Sequence, residues 1–346
     1  MKSALTALIA FCVSLIISLP GFAAEDKKNP DTLSIKWLPL PQLPVPCAGQ
    51  GVVMQKDFIW YFGGTTWRDG KKIYLSDAWA TRKGDARWQA QSPLPEGLAN
   101  FSCGIFGDKI YIVGGSNGAK TLSSMLMLDI SAKKTVWQKL DCDLPVKSYY
   151  SSSIVMDGKL YVFGGLSEDS VWSSATNLLF EIDLKSEKKT WKALTPLPGQ
   201  PRALSGICES GGSLYIFGGA CSSGILNRAV DNLCDVWKYE PDTNKWTRLP
   251  DMPYPCRCGL AMPYKDKIIF MPGCITLADG EDYITDSVYV LSPVSGSWKL
   301  LTPAPQKAIA AGAIANGTGC ILGGEDKPRH RINQAFMIEI NHTLIP

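Results

Sequence analysis

The chain has 346 residues, a formal net charge of +3 and 45% hydrophobic residues. Acidic and basic residues are interspersed along the chain, so we predict neither a nucleic-acid partner nor charge-driven binding to a membrane. Only two histidines occur, His330 and His342, and no cysteine or histidine cluster has the spacing of a metal site. The sequence therefore predicts no metal and no cofactor.

The first 23 residues have the pattern of a secretory signal peptide. Lys2 precedes the apolar run ALTALIAFCVSLIISL, and Gly21 and Ala23 fit a small-x-small cleavage rule. We expect cleavage near Ala23, a leader segment over residues 24–33, and a periplasmic or secreted protein. The alternative is an uncleaved anchor. No other apolar stretch is long enough to span a bilayer.

Repeats of about fifty residues occupy the rest of the chain. Each contains four short runs rich in β-forming residues, as in ALSGIC, SLYIFGG, DVWKYEP and KWTRLP. Glycine pairs end one run in most repeats, at Gly64, Gly115, Gly165, Gly219 and Gly324, and Pro272 replaces the first glycine before Gly273. A tryptophan recurs with the same spacing as the glycine pairs, at Trp88, Trp137, Trp191, Trp246 and Trp298. This pattern resembles Kelch repeats, in which each repeat is one propeller blade.

The two ends of the chain complement each other. The last repeat stops at its third run, QAFMIEI, whereas SIKWLPLPQLP, with Trp37, resembles a fourth run without its own repeat. We predict that residues near 34–40 complete the last blade, which removes an open sheet edge. The predicted fold is all-β, a six-bladed propeller forming one domain over residues 34–346.

Blade geometry places the candidate site. The innermost strand of each blade lines the central channel, and the loop after each glycine pair opens on the same face as the loop entering that strand. The segment EDKPRHR, Glu325–Arg331, follows a glycine pair and falls on this face. The same face should carry Asn100, Lys147, Tyr149, Tyr150, Trp67, Arg68, Arg202 and Arg257. An arginine-rich mouth with a carboxylate suits a small anionic ligand. The alternative is a solvated turn with ordinary surface charges.

Cysteines recur in the predicted inner strands. Eleven occur, and ten remain if Cys12 leaves with the signal, which permits disulfides in an oxidising compartment. Small residues surround the inner-strand cysteines, so we interpret Cys47, Cys103, Cys208 and Cys258 as compact space-fillers rather than redox groups. We predict that Cys103 and Cys258 are buried and unpaired, with any disulfide among loop residues such as Cys221 and Cys234.

Two segments carry a closer resemblance. GQPRALSG and GGEDKPRHR resemble the Gly-Pro-Arg turn and the Gly-Glu-x-Lys-Pro-x-x-Arg loop of the N-acetylneuraminate epimerase family, the Kelch-type sialic acid mutarotases. Their order here matches a cyclically permuted branch. The resemblance implies Glu325 as the proton-transferring residue, Arg331 as a substrate-binding residue and Arg202 as a further contact. The family's long helical insertion is absent, and Arg329 and His330 replace small or apolar residues.

We therefore expect an exported isomerase that interconverts anomers of N-acetylneuraminate or a related anionic sugar by acid/base ring opening. Arg257 and Lys327 are further predicted substrate contacts. The general acid is left open among a tyrosine, a water molecule and Glu325 itself, and the oligomeric state is open too. The alternative is a non-catalytic propeller that binds a glycan or a protein. A copper radical oxidase is disfavoured, because neither histidine lies in an inner-strand motif.

Overall fold

The computed structural model describes residues 31–224, 229–315 and 317–344. The predicted signal peptide and leader residues 24–30 lie outside this range. The described residues form six four-stranded antiparallel sheets and one short 3-10 helix, Trp172–Ser174. None of the described helices is long and apolar enough to cross a membrane. The predicted all-β fold is confirmed.

Five sheets follow one another along the chain, and each is numbered from its first to its fourth strand. Sheet 1 has Gly51–Gln55, Phe58–Phe62, Ala78–Arg82 and Gln89–Ala90. Sheet 2 has Ser102–Phe106, Lys109–Val113, Met125–Asp129 and Gln138–Lys139. Sheet 3 has Ser152–Met156, Lys159–Phe163, Leu179–Asp183 and Trp191–Ala193. Sheet 4 has Gly206–Ser210, Ser213–Phe217, Val236–Glu240 and Lys245–Leu249. Sheet 5 has Leu260–Tyr264, Lys267–Met271, Tyr289–Ser292 and Ser297–Leu300.

Sheet 6 combines both ends of the described chain. Its strands are Ile309–Ala315, Thr318–Lys327, His330–Leu344 and, as the fourth, Asp31–Pro39. Backbone pairing continues beyond that strand, because Leu40 N donates to Ala335 O at 2.9 Å. The predicted pairing of the Trp37 strand with the Phe336 strand is confirmed, and both side chains pack against one apolar cluster.

The first strands of the sheets contact one another in cyclic order. Each touches the first strand of the next sheet, and that of sheet 6 touches that of sheet 1. This order is the one expected of a β-propeller around a central channel. The closed ring of six blades stays a prediction, which the cyclic order supports. Leu33–Asn341 form the propeller body; a second unit comprises Met1–Thr32 and His342–Pro346, of which only strand ends are described.

Shorter strands extend the connections between second and third strands. In sheet 1, Thr65–Arg68 pairs with Lys71–Tyr74, and in sheet 4, Ala220–Ser222 pairs with Val230–Asn232. In sheet 5, Cys274–Thr276 pairs with Asp282–Ile284 and with Cys256–Arg257, which precedes the first strand of that sheet. These connections carry some of the polar side chains of the candidate site.

Four of the five repeat tryptophans join neighbouring sheets by a hydrogen bond, whereas Trp298 Nε1 is buried without a partner. Trp88 Nε1 donates to Pro41 O at 2.9 Å, which links sheet 1 to the segment that follows the fourth strand of sheet 6. The same bond recurs three times, from Trp137 to Ser92 O, from Trp191 to Cys142 O and from Trp246 to Thr195 O. An indole N–H usually finds a partner when buried, and these four bonds fix the spacing of two sheets that the indole rings also fill.

The glycine pairs allow close approach of neighbouring backbones. Gly114 and Gly115 have φ values of 70° and 88°, in the left-handed region. A Cβ atom at Gly114 would lie 2.4 Å from Ser148 O, and one at Gly115 would lie 2.8 Å from Ala99 O. Only glycine fits both requirements, which explains the regular pairs in the sequence.

Candidate functional site

A cavity of about 830 Å³ occupies the channel. The first strands of all six sheets line its wall, and these strands are rich in small residues. Polar and aromatic side chains from the connections line its mouth: Gln50, Thr65, Lys72, Asn100, Tyr150, Trp172, Arg257, Glu325 and Arg331. The size and the few convergent polar groups are typical of a small-molecule site.

A run of backbone hydrogen bonds crosses the mouth from sheet to sheet. Four residues just before first strands donate their N–H to the equivalent carbonyl of the preceding sheet, at 2.7–3.0 Å: Cys258, Leu204, Tyr150 and Asn100. The last of these bonds ends at Gly49 O, and all five residues have φ values between 55° and 69°. This conformation is uncommon for residues other than glycine, and strain of this kind concentrates at ligand sites.

Glu325 and Arg331 face each other at the cavity wall. The segment predicted as a loop is a β-hairpin, in which Glu325 is in register with Arg331 and Arg329 occupies the turn with φ 64°. Arg331 Nη1 donates to Glu325 Oε2, and the two side chains are 9% and 28% exposed. The carboxylate offsets the cost of burying the guanidinium.

The Nε–Nη2 edge of the Arg331 guanidinium is incompletely bonded. Its Nη2 donates to Thr65 Oγ1 over a long 3.4 Å, and its Nε is buried without a partner. Burial lowers the pKa of Arg331, because desolvation disfavours the charged form; nearby Tyr150 and Cys47 oppose that effect. The Nε–Nη2 edge is the one that binds a carboxylate with two parallel bonds.

Gln50 is a second incompletely bonded group on this wall. Its Nε2 donates to Leu322 O at 2.8 Å, which orients the amide, and its Oε1 is buried without a partner. The Gln50 side chain thus adds an acceptor to the wall that carries the Arg331 donors.

Arg257 lines the cavity, as predicted, but is held by side chains from the connections of sheets 4 and 5. Its Nη1 donates to Asn232 Oδ1 and Asp282 Oδ2, both at 2.7 Å. Burial acts to lower the pKa of Arg257, and its interactions with Cys274 and Asp282 outweigh burial and raise it. Arg257 adds positive charge to the mouth, partly neutralised by Asp282.

Two predicted substrate contacts lie elsewhere. Arg202 has no exposed surface and does not line the cavity; its guanidinium binds both carboxylate oxygens of Asp235, at 2.5 and 2.8 Å. Lys327 is exposed at the hairpin tip, outside the cavity lining. We correct both assignments: the side chain of Arg202 points into the scaffold, and that of Lys327 lies in solvent.

Three aromatic residues form the opposite side of the mouth. Tyr149 is buried, and its ring centroid is 3.9 Å from that of Tyr150. Tyr150 stacks on Trp172 with a centroid distance of 6.4 Å and an interplanar angle of 12°. Asn100 Nδ2 donates to the Tyr149 hydroxyl at 3.2 Å. Tyr150 and Trp172 give the cavity an aromatic wall.

The cysteines do not form disulfides. None of the ten cysteines of the described residues is in a disulfide, and these include Cys221 and Cys234. Cys103 and Cys258 are unpaired as predicted but only half-buried, because both line the cavity. Burial raises the pKa of Cys103 to about 11 and that of Cys258 to about 12, so both stay protonated. Within the described ranges, no group of His, Cys, Asp or Glu is arranged to hold a metal ion.

The sequence reasoning missed four of the residues that line the mouth: Gln50, Thr65, Lys72 and Trp172. Gln50 directly follows the position equivalent to Asn100 and Tyr150, so alignment of the repeats alone would have located it. Thr65 directly follows a glycine pair, as Glu325 does. Trp172 lies in the 3-10 helix within a longer connection, for which the repeat offers no template.

Comparison with solved structures identifies the same architecture elsewhere. A structure described as "Structure of YjhT" aligns with a TM-score of 0.71 and 15% sequence identity. The alignment covers 88% of this chain and 99% of that one. At this identity, the likeness shows the fold alone.

Curated relatives match at the level of the repeats. Kelch-like protein 15 of Danio rerio is 25% identical over 276 residues, which cover 76% of this chain and 44% of that protein. Beta-scruin of Limulus polyphemus is 26% identical over 250 residues, covering 69% of this chain and 26% of that protein. The chain thus spans less than half the length of these relatives. The family model of the KLHDC2/KLHL20/DRC7 Kelch-repeats domain matches residues 100–324, and the chain belongs to this Kelch-repeat family.

Proposed function

We propose that the chain is an exported sugar-acid mutarotase, an isomerase that interconverts the anomers of N-acetylneuraminate or a related anionic sugar. The observation that carries the proposal is the pair of Glu325 and Arg331 on the cavity wall, with the Nε of Arg331 unpartnered. A proton acceptor and a carboxylate-binding cation lie side by side, and ring opening of a sugar acid needs both. The sequence resemblance to the mutarotase family supports the same two residues.

In this proposal Arg331 binds the sugar carboxylate through its Nε–Nη2 edge. Glu325 keeps its bond to Nη1, so both carboxylates lie on one guanidinium, and the anomeric carbon next to the sugar carboxylate lies beside Glu325. Glu325 then takes the proton of the anomeric hydroxyl, and the ring opens. Reclosure on the other face of the carbonyl gives the second anomer. Holding the sugar at its carboxylate supplies the positioning on which this chemistry depends.

A binding module without catalysis is the second candidate. The observation in its favour is that Glu325 is already ion-paired with Arg331, so it can serve to neutralise a buried cation rather than as a base. The family match is also to a repeat domain, and one fold supports many functions. Both candidates use the same cavity, and they differ in whether the sugar is turned over.

The test is the rate of anomer exchange of freshly dissolved crystalline N-acetylneuraminate, followed by NMR with and without protein. We expect wild type to accelerate it and Glu325→Gln to lower the rate by roughly 10²–10⁴-fold, because the amide keeps the shape but is not a base. Arg331→Lys keeps the charge but loses the two-bond geometry, so it should weaken binding of the acid more than of its uncharged methyl ester.

Binding of the sugar without acceleration would favour the binding module. Equal acceleration by Glu325→Gln would show that the proton chemistry lies elsewhere.

A further inference from the structure

Tyr150 occupies a constrained position at the cavity mouth. Its φ of 61° lies in the left-handed region, which is rare for a bulky aromatic residue. Two hydrogen bonds hold it there: Tyr150 N donates to Asn100 O at 3.0 Å, and Tyr150 O accepts from Leu204 N at 2.9 Å. A strained backbone fixed from both sides orients the side chain, which lines the cavity and stacks on Trp172.

A hydrogen bond holds the neighbouring Tyr149 in place. Asn100 Nδ2 can only donate, and it donates to the Tyr149 hydroxyl at 3.2 Å. The Tyr149 ring packs against that of Tyr150, with the two centroids 3.9 Å apart, and the Tyr150 side chain lines the cavity. A phenol O–H on a cavity-lining side chain is a proton donor for a bound ligand.

Burial and the acidic neighbours of Tyr150 keep it protonated, whereas its interaction with Arg331 favours the phenolate. Arg331 lies close enough for electrostatic interaction with Tyr150, so its guanidinium would stabilise a phenolate. Burial raises the pKa of Tyr150, which keeps the hydroxyl protonated at neutral pH. Cys258, Asp169 and Tyr74 also raise the pKa of Tyr150, and its interaction with Tyr149 lowers it.

We propose that Tyr150 is the general acid of the anomerisation, and that it donates its phenolic proton to the ring oxygen of the sugar. This role rests on the proposed function. It fills the part that Glu325 and Arg331 leave open, because an arginine is a poor proton donor and Glu325 acts on the anomeric hydroxyl. Tyr150 and Glu325 line the same cavity with Arg331 in contact with one and near the other.

The step balances in both directions. Glu325 takes the anomeric hydroxyl proton, the bond from the anomeric carbon to the ring oxygen breaks, and its electron pair stays on that oxygen. The ring oxygen takes the proton of Tyr150, leaving an open-chain keto acid, a phenolate and a protonated Glu325. On reclosure the phenolate takes back the proton of the attacking hydroxyl, and Glu325 returns its proton to the carbonyl oxygen.

The experiment uses full-length mature protein and N-acetylneuraminate as the probe. Tyr150→Phe should lower kcat for anomer exchange by roughly 10²–10⁴-fold while KM changes little, since the ring and its stacking remain. Tyr74→Phe is the matched control: it removes a neighbouring phenol that does not line the cavity and should keep the wild-type rate. Tyr149→Phe retains the Tyr150 proton and should cost less than Tyr150→Phe.

A second measurement does not depend on losing activity. Replacing Tyr150 with 3-fluorotyrosine lowers the pKa of the phenol, so the alkaline limb of the kcat profile should move to lower pH. A limb that stays in place, or a Tyr150→Phe variant as fast as wild type, overturns the role of Tyr150 while the proposed function stands. A wild-type protein that binds or turns over no N-acetylneuraminate overturns both.

Discussion

At the scale of single residues, two buried arginines with the same chemistry have different roles. Arg202 is fully bonded: its Nε donates to Gln200 O, its Nη1 to Gly218 O and Asp235, and its Nη2 to Asp235. Arg331 has a partner for Nη1 but none for Nε. A fully bonded buried cation holds the scaffold together, whereas an unpartnered donor at a cavity wall is available to a ligand.

We predict that Arg202→Met lowers the free energy of unfolding by about 3–5 kcal/mol, because it leaves Asp235 buried without its cation. Arg202→Lys should lose less stability and keep wild-type affinity for N-acetylneuraminate. The matched control is Arg257→Met, at the cavity wall, which should weaken sugar binding more than it destabilises the fold. Chemical denaturation and calorimetric titration measure the two effects. If the Arg202→Lys protein is as stable as wild type but no longer binds the sugar, Arg202 contributes to sugar binding and our correction of its role is wrong.

The pair of Arg202 and Asp235 should also make the free energy of unfolding depend on pH. Burial acts to raise the pKa of Asp235, and the bonds from Arg202 outweigh it, so the pKa lies below its ordinary value of 3.8. The unfolded state therefore binds the proton first as pH falls. The stabilisation from this pair is present above about pH 4 and is lost as the pH falls through the lowered pKa. In Arg202→Met this part of the acid dependence should disappear.

At the scale of the element, sheet 6 shows both the strength and the limit of the sequence pattern. The missing fourth run and the unpaired Trp37 segment predicted the pairing correctly, because a repeat has a fixed number of strands. The pattern also placed Glu325 and Arg331 on the cavity side. It could not show that they face each other, since this depends on the register of a hairpin that extends beyond the repeat.

Arg202 was misassigned for a related reason. The turn around Pro201 was located correctly, but a sequence motif does not give the direction of a side chain. Asp235, more than thirty residues away along the chain, determines that direction in the fold. Such pairs between distant residues are the part of a site that single-sequence reasoning cannot supply.

Closure of sheet 6 by the N-terminal strand predicts a steep effect on stability. Deleting residues 25–44 removes the buried Ile35 and the packed Trp37, each contributing about 2–3 kcal/mol, and exposes the edge of the strand His330–Leu344. We expect the melting temperature to fall by roughly 10 °C or more. Ile35→Asp should reproduce part of the loss, whereas Lys36→Gln, at the exposed neighbouring position, should melt like wild type. A deletion protein with an unchanged melting curve would contradict the closure.

At the scale of the whole molecule, the predicted closed ring would have no free end at which unfolding can begin. Each sheet is held by two neighbours through packed first strands and through tryptophans such as Trp88 and Trp137. The joint between sheet 6 and sheet 1 connects the two ends of the chain. If that joint is as strong as the others, the sheets should unfold together rather than one at a time, as in an open repeat array.

Buried thiols in different sheets report on this cooperativity. Cys47 precedes sheet 1, Cys208 lies in sheet 4 and Cys320 in sheet 6, and all three are buried. Burial raises the pKa of Cys47 and Cys320 to about 12 and that of Cys208 well above its ordinary value, so none is a thiolate in the folded protein at pH 8. Each should react with a thiol reagent only after the ring opens.

We predict one common free energy of opening for the three thiols, measured by mass spectrometry of labelled peptides in low denaturant. Cys234, which is half-buried, is the control and should react without opening. Ile35→Asp should accelerate all three by the same factor, tenfold for each 1.4 kcal/mol of lost stability. The reason is that a global transition lowers every local protection equally. The contrary result is that Cys47 and Cys320 react much faster than Cys208 in the wild type. In that case the joint between sheet 6 and sheet 1 opens without the rest of the fold, and it is less stable than the joints between the other sheets.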